Sequence, residues 1–170
     1  MPELTLLCGS EEHVCTAVSV RMYRKYTEFM ERNNGSSAQD AFAINAEILK
    51  EFFGISSREL KKAEVEEQLV AAKTIHFVAQ EIITKKFLEL NPDRPEQQEK
   101  SIFDEYDEEN GYNEGEKAEN VWKVCRENLD RVVKLCIRAF NDSYTKCMES
   151  DIMSLLDYVV FEIATVNENK

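Results

Sequence analysis

Residues 56–92, from Ser56 to Pro92, read SSRELKKAEVEEQLVAAKTIHFVAQEIITKKFLELNP, and this stretch decides the fold. Ser56 followed three residues later by Glu59 is a capping box, in which the serine hydroxyl serves the amide of position 59 and the carboxylate reaches back to the amide of Ser56. Neither Gly nor Pro interrupts the run before Asn91-Pro92, where the residue preceding proline is driven out of helical geometry. The pattern predicts one helix of about 34 residues, about 50 Å long at 1.5 Å per residue. From Leu69 onward apolar side chains cover most of its circumference, which marks a central element packed on more than one side.

The punctuation on either side follows the same logic. All five glycines (Gly9, Gly35, Gly54, Gly111, Gly115) and all three prolines (Pro2, Pro92, Pro95) fall between segments of helical periodicity. Upstream, Ser37 to Phe53 reads as a helix with Asp40 in its first turn, Gly54 as its stop and a buried stripe of Ala41, Ile44, Ile48, Leu49 and Phe52. A helix before it is expected to begin after Ser10 and to end at Asn33-Asn34-Gly35, with Val14, Val18, Met22, Tyr26, Phe29 and Met30 on one face. Only Leu4-Thr5-Leu6 hints at a period of two. Downstream, a fourth helix is expected from Lys117 to Glu149, with Val121, Cys125, Leu129, Val132, Cys136, Phe140 and Cys147 inward. A Ser150-Asp151 cap opens a fifth, from Ile152 to about Val166. The expected fold is therefore all-α, a single-domain bundle of about five helices spanning residues 1–170, with a long central helix and an acidic crossover loop at 91–116.

Composition agrees with one ordinary soluble domain. Of 170 residues, 43% are hydrophobic and 32% charged, which excludes collagen-like and low-complexity classes. A chain of this size buries about 70% of its extended surface, so a core needs neither disulfides nor a structural metal. The net charge is −12, but ten acidic and two basic side chains lie within residues 91–116, so two thirds of the excess sits there. That segment cannot bury enough apolar surface to offset the entropy of ordering it and reads as a flexible loop. Acidity makes nucleic acid and anionic membrane poor partners. The best apolar window, Ile152 to Val166, is broken by Asp157 and Glu162 and is too short for a span. The N-terminus lacks the basic region of a secretory signal, and an odd number of cysteines, five, within helical patterns points to reduced thiols in cytoplasm or nucleus.

Chemical constellations are sparse. Cys125, Cys136 and Cys147 recur every eleven residues and share one face of a continuous helix, but about 16 Å would separate neighbouring thiols, so they read as core hydrophobes. Cys8, His13 and Cys15 offer too few ligands for zinc. His76 reads as a hydrogen-bonded core or interface histidine, because no nucleophile accompanies it. Neither glycine register of the acidic loop, Gly111 or Gly115, places the bidentate glutamate of an EF-hand. No metal and no cofactor are therefore expected.

Apolar residues on polar faces are more informative. Lys73, Thr74, Gln80, Glu81, Thr84 and Lys85 define the polar arc of the long helix, yet Phe77 and Leu88 point into it and need cover, first of all from another helix. Val124 and Leu135 flank the polar side of the fourth helix and would extend that patch. Phe103 and Tyr106, set among carboxylates with Ile102 and Tyr112, form a short acidic-aromatic motif suited to a basic groove. Lys123, Glu127, Asp130, Arg131 and Lys134 read as a solvated face of i,i+4 pairs. The expected function is a non-enzymatic helical protein–protein interaction module, an adaptor or subunit of a larger assembly. Its partner would be a protein with a basic groove or helix, or a second copy of the chain. The alternative is a small-molecule or lipid-binding domain, open to catalysis, with a pocket between the third, fourth and fifth helices lined by Trp122, Phe140, Cys136 and His76.

Overall fold

The computed structural model describes residues 3–33, 38–89, 121–139 and 141–168. Most of these residues are helical, as the all-α reading requires, but the chain begins with a two-stranded antiparallel hairpin, β1 (Leu4–Cys8) and β2 (Glu11–Cys15). The expected helix start at Ser10 is thus corrected. Gly9 takes φ +69° in the two-residue connection with Ser10, the conformation that a tight hairpin turn asks of its first position. Leu4, Leu6 and Cys8 point into the core and Thr5 and Leu7 away from it. Val14, assigned to a buried helical face, lies exposed on β2.

Helix α1 (Val20–Arg32) begins ten residues later than Ser10, with Ser19 as its cap, its hydroxyl accepting from the Met22 amide at 3.2 Å. It buries Val20, Tyr23, Tyr26 and Thr27. Helix α2 (Ala38–Phe53) stops at Gly54, φ +63°, as expected, and buries Ile48, Leu49 and Phe52, whereas Ala41 is exposed.

The long central helix is broken twice. The capping box forms as read, Ser56 N donating to Glu59 Oε2 at 2.7 Å, but it opens only α3 (Ser57–Leu60). Helix α4 (Val65–Phe77) restarts beyond Glu64, which makes no side-chain cap. The side chain of Gln68 reaches back from α4, its Nε2 donating to Leu60 O at 3.2 Å and Ala63 O at 3.0 Å, and so satisfies carbonyls that the break releases. The second departure is a π-helical segment, Val78–Ile83, leading into α5 (Thr84–Glu89). Ile75, Ala79, Ile83 and Phe87 are all buried. Four-residue spacing drifts about 40° per step around a straight α-helix, and the wider π turn takes up that drift.

The expected fourth helix is also two. Helix α6 (Val121–Ala139) ends near Asn141, the sole described non-glycine residue with positive φ (56°). Ser143 then caps α7 (Tyr144–Glu149), accepting from Lys146 N at 3.2 Å. Asp151 caps α8 (Ile152–Glu168), accepting from Ser154 N at 2.9 Å, as read from sequence.

The core draws on every one of these elements. Helix α6 lies along α1, α4 packs on α2 and β1, and α5 meets α8. The starts of α1 and α8 are joined main chain to main chain: Val20 N donates to Ser150 O at 3.0 Å and Ile152 N to Val18 O at 2.9 Å, with Ser19 and Asp151 paired as an antiparallel bridge. No helix among the described residues is long and apolar enough to cross a membrane.

Candidate functional site

Among the described residues a connected, part-buried group of polar side chains surrounds Tyr26. The Tyr26 hydroxyl lies 2.8 Å from His76 Nδ1, and His76 Nε2 lies 3.0 Å from Asn45 Oδ1. An amide oxygen only accepts, so His76 carries its proton on Nε2 and takes Tyr26's proton into a hydrogen bond at Nδ1. Gln80 Nε2, in the π segment, donates more distantly to Tyr26 at 3.5 Å. The result is a directional string of neutral groups, Gln80 to Tyr26 to His76 to Asn45, tying α1, α2, α4 and the π turn together. Aromatic edges close it in: Trp122 and Phe52 meet the Tyr26 ring at centroid distances of 5.6 and 6.3 Å, and His76 itself at 5.6 Å.

Burial sets the protonation of this string. It lowers the pKa of His76 below its ordinary 6.5 and raises that of Tyr26 above its ordinary 10, because both charged forms lose solvation. Both ring nitrogens of His76 are occupied by protein groups, so in this arrangement neither is offered to a substrate. Tyr26 was read as core and His76 as a bonded histidine, and the structure joins the two. Gln80, on the polar arc of the long helix, is drawn into this string with Asn45. Asn45 falls between Ile44 and Ile48 in the middle of the apolar arc of α2, and a polar side chain there demands a partner.

The residues chosen for partner binding are scattered. Phe77 sits on the outward face of α4, 56% exposed, and no other helix among the described residues covers it, contrary to the expected cover. Val70, seven residues earlier on the same outward face, is 59% exposed, and Val65 and Leu69 lie exposed along its flank. The exposure of Leu69 and Val70 is not legible in the sequence, where the apolar run from Leu69 onward marks a helix packed on more than one side, and Val65 precedes that run. Val124 is half-buried and Leu135 exposed on α6, whose main neighbours are α1, α7 and α8 rather than α4. Leu88 lies on α5, its side chain outside the described residues, and Phe103, Tyr106 and the whole acidic stretch 91–116 also lie outside them.

The residues of the alternative pocket divide. Trp122 and His76 meet at Tyr26, Cys136 packs beside Cys147, and Phe140 lies outside the described residues. Cys8 stands opposite Glu11 and Cys15 opposite Leu4, so the two cysteines are four rungs apart on the hairpin, about 13 Å along a strand. Zinc holds its sulfurs at about 2.3 Å. Among the described residues no three His, Cys, Asp or Glu side chains are grouped to hold a metal ion.

The charges of α6 are only partly a solvated face. Lys123 and Glu127 pair along the helix at 3.9 Å, but Arg126 grips Glu31 of α1 through Nε at 3.0 Å and Nη2 at 3.3 Å, and Asp130 meets Arg24 of α1 at 3.3 Å. These bonds set the register of α6 on α1 and hold Trp122 against Tyr26. No protein-family model, no curated protein and no solved structure matches this chain.

Proposed function

We propose that this chain is a non-enzymatic helical interaction module that binds a protein partner through the outward face of α4. The observation that carries the reading is the exposure of Val70 and Phe77, seven residues apart on the side of α4 opposite the buried Ala71, Ala72 and Ile75. Large apolar side chains aligned on one helix face are what helix-in-groove recognition uses as anchors. Lys73 between them, with Glu66 one turn before Val70, supplies a mixed polar rim. The ten carboxylates of residues 91–116 favour a basic partner by steering the encounter. The Tyr26–His76–Asn45 string supports a scaffolding role, since its hydrogen bonds are spent on holding α4 to α1 and α2.

The test is a double variant, Val70→Glu with Phe77→Glu, compared with wild type in affinity purification and in sedimentation. Both side chains are surface-exposed, so circular dichroism and the thermal midpoint should be unchanged while one or more co-purifying proteins, or self-association, is lost. If every partner and the sedimentation coefficient persist in a folded double variant, the α4 face is not the binding surface. Removal of residues 96–116 in a separate variant is expected to slow association and weaken its salt dependence.

A further inference from the structure

The break between α6 and α7 has a chemical consequence. On a continuous helix the thiols of Cys136 and Cys147 would stand about 16 Å apart. The reversal at Asn141 instead packs α7 against α6, and the two thiols come within interaction range of each other in the core, Cys136 fully buried and Cys147 1% exposed. Cys125, equally far from Cys136 in sequence, remains on the same helix α6. Cys8 and Cys15 are held at opposite ends of the hairpin.

We propose that Cys136 and Cys147 are a dithiol–disulfide couple, oxidised by hydroperoxides, whose disulfide latches α7 onto α6. Access comes through α7, a helix of six residues anchored by Cys147 and Met148, with Tyr144, Thr145, Lys146 and Glu149 exposed. When α7 opens, the Cys147 thiolate attacks one peroxide oxygen, the O–O bond breaks, and the departing hydroxide takes the thiol's proton to leave as water. The resulting sulfenic acid is attacked at sulfur by Cys136, which expels a second hydroxide, protonated to water by the proton Cys136 gives up. Two thiols and one hydrogen peroxide thus become one disulfide and two waters. Cys147 is the first nucleophile because it travels with the opening helix, whereas Cys136 stays fully buried on α6.

An internal control is built into the sequence. Cys125–Cys136 and Cys136–Cys147 close loops of identical length, so a denatured chain has no preference between them. Full-length protein is treated with one equivalent of hydrogen peroxide in native buffer and, separately, in denaturing urea, then blocked with N-ethylmaleimide and cut with trypsin. The three cysteines fall on separate peptides, Val124–Arg126, Leu135–Arg138 and Cys147–Lys170. The expected ratio of the 136–147 to the 125–136 disulfide is near one in urea and more than tenfold in native buffer, and the native yield of the 136–147 disulfide is unaffected by Cys125→Ala. The thermal midpoint is expected to rise on oxidation and to return with dithiothreitol. A native ratio near one, or recovery of both Cys136 and Cys147 as alkylated thiols while another cysteine is oxidised, overturns the couple. A lower midpoint in the oxidised protein overturns the latch.

Discussion

Tyr26 is fully buried and its hydroxyl stands between His76 and Gln80, so removing that oxygen leaves His76 Nδ1 without its donor. Tyr26→Phe is expected to cost about 1–3 kcal/mol, the penalty of an unsatisfied buried polar group, read as a lower midpoint in urea. His76 adds a pH dependence whose sign follows from burial. Its pKa in the folded protein lies below the ordinary 6.5, so as pH falls the unfolded chain binds the proton first. The stability contributed by neutral His76 is present above about pH 6.5 and is lost as pH drops through that value toward the lower folded pKa. His76→Gln should therefore be less stable than wild type at neutral pH and show a flatter loss of stability between about pH 7 and 5, measured by denaturant titration at each pH. Gln68 is a further buried polar side chain, and its amide donates to two carbonyls at the break before α4. Gln68→Ala is expected to cost about 1–3 kcal/mol in the same assay, with Gln68→Glu no better, since a carboxylate cannot donate. Of these three groups only His76 was legible in the sequence as a bonded polar residue. Asn45 and Gln68 carried the same signal, a polar side chain on an apolar arc, and it went unread because the arcs were being traced by their apolar members.

Helix stops written in glycine were readable, and those written in anything else were not. Gly54 ends α2 where its type predicts, and Asp151 and the Ser56–Glu59 box cap the helices they should. The break at Lys61-Lys62-Ala63-Glu64 has no glycine, proline or capping side chain, and the carbonyls of Leu60 and Ala63 are met instead by the Gln68 amide from the following helix. Asn141-Asp142-Ser143 did carry a signal, since asparagine tolerates a left-handed backbone and serine caps the next turn, but the eleven-residue cysteine spacing ran across it and favoured one helix. The hairpin was lost for a similar reason. Val14, Val18 and Met22 fit a helical face, Ser10-Glu11-Glu12 imitates a helix start, and only five residues of each strand were available to show alternation. At this scale the backbone of Asn141 is the sharpest test. Asn141→Gly should leave the thermal midpoint unchanged or raise it, whereas Asn141→Val should destabilise by about 1–2 kcal/mol, because a β-branched residue resists φ of +56°.

Across the whole molecule, the net charge of −12 belongs mainly to one segment, and the core is assembled from the rest. An ion pair at each of several seams, Arg126–Glu31, Lys25–Glu51 and Lys86–Asp157, joins elements far apart in sequence with side chains still partly in water. Each contributes under about 1 kcal/mol, so they specify register more than stability. Deleting residues 96–116 is expected to change the unfolding free energy by less than about 1 kcal/mol, because a stretch so rich in carboxylates has little apolar surface to bury. A drop of several degrees in midpoint would show that the stretch packs on the core. The main-chain pairing at the starts of α1 and α8 has a consequence of its own. Amides in the first turn of a helix lack intrahelical acceptors and normally trade their protons for solvent deuterium within the fastest class. Val20 and Ile152, both fully buried, give theirs instead to Ser150 O and Val18 O across the molecule. Their two amides should therefore be among the slowest to take up deuterium, and at a common rate, since neither bond opens unless residues 18–20 and 150–152 part from one another.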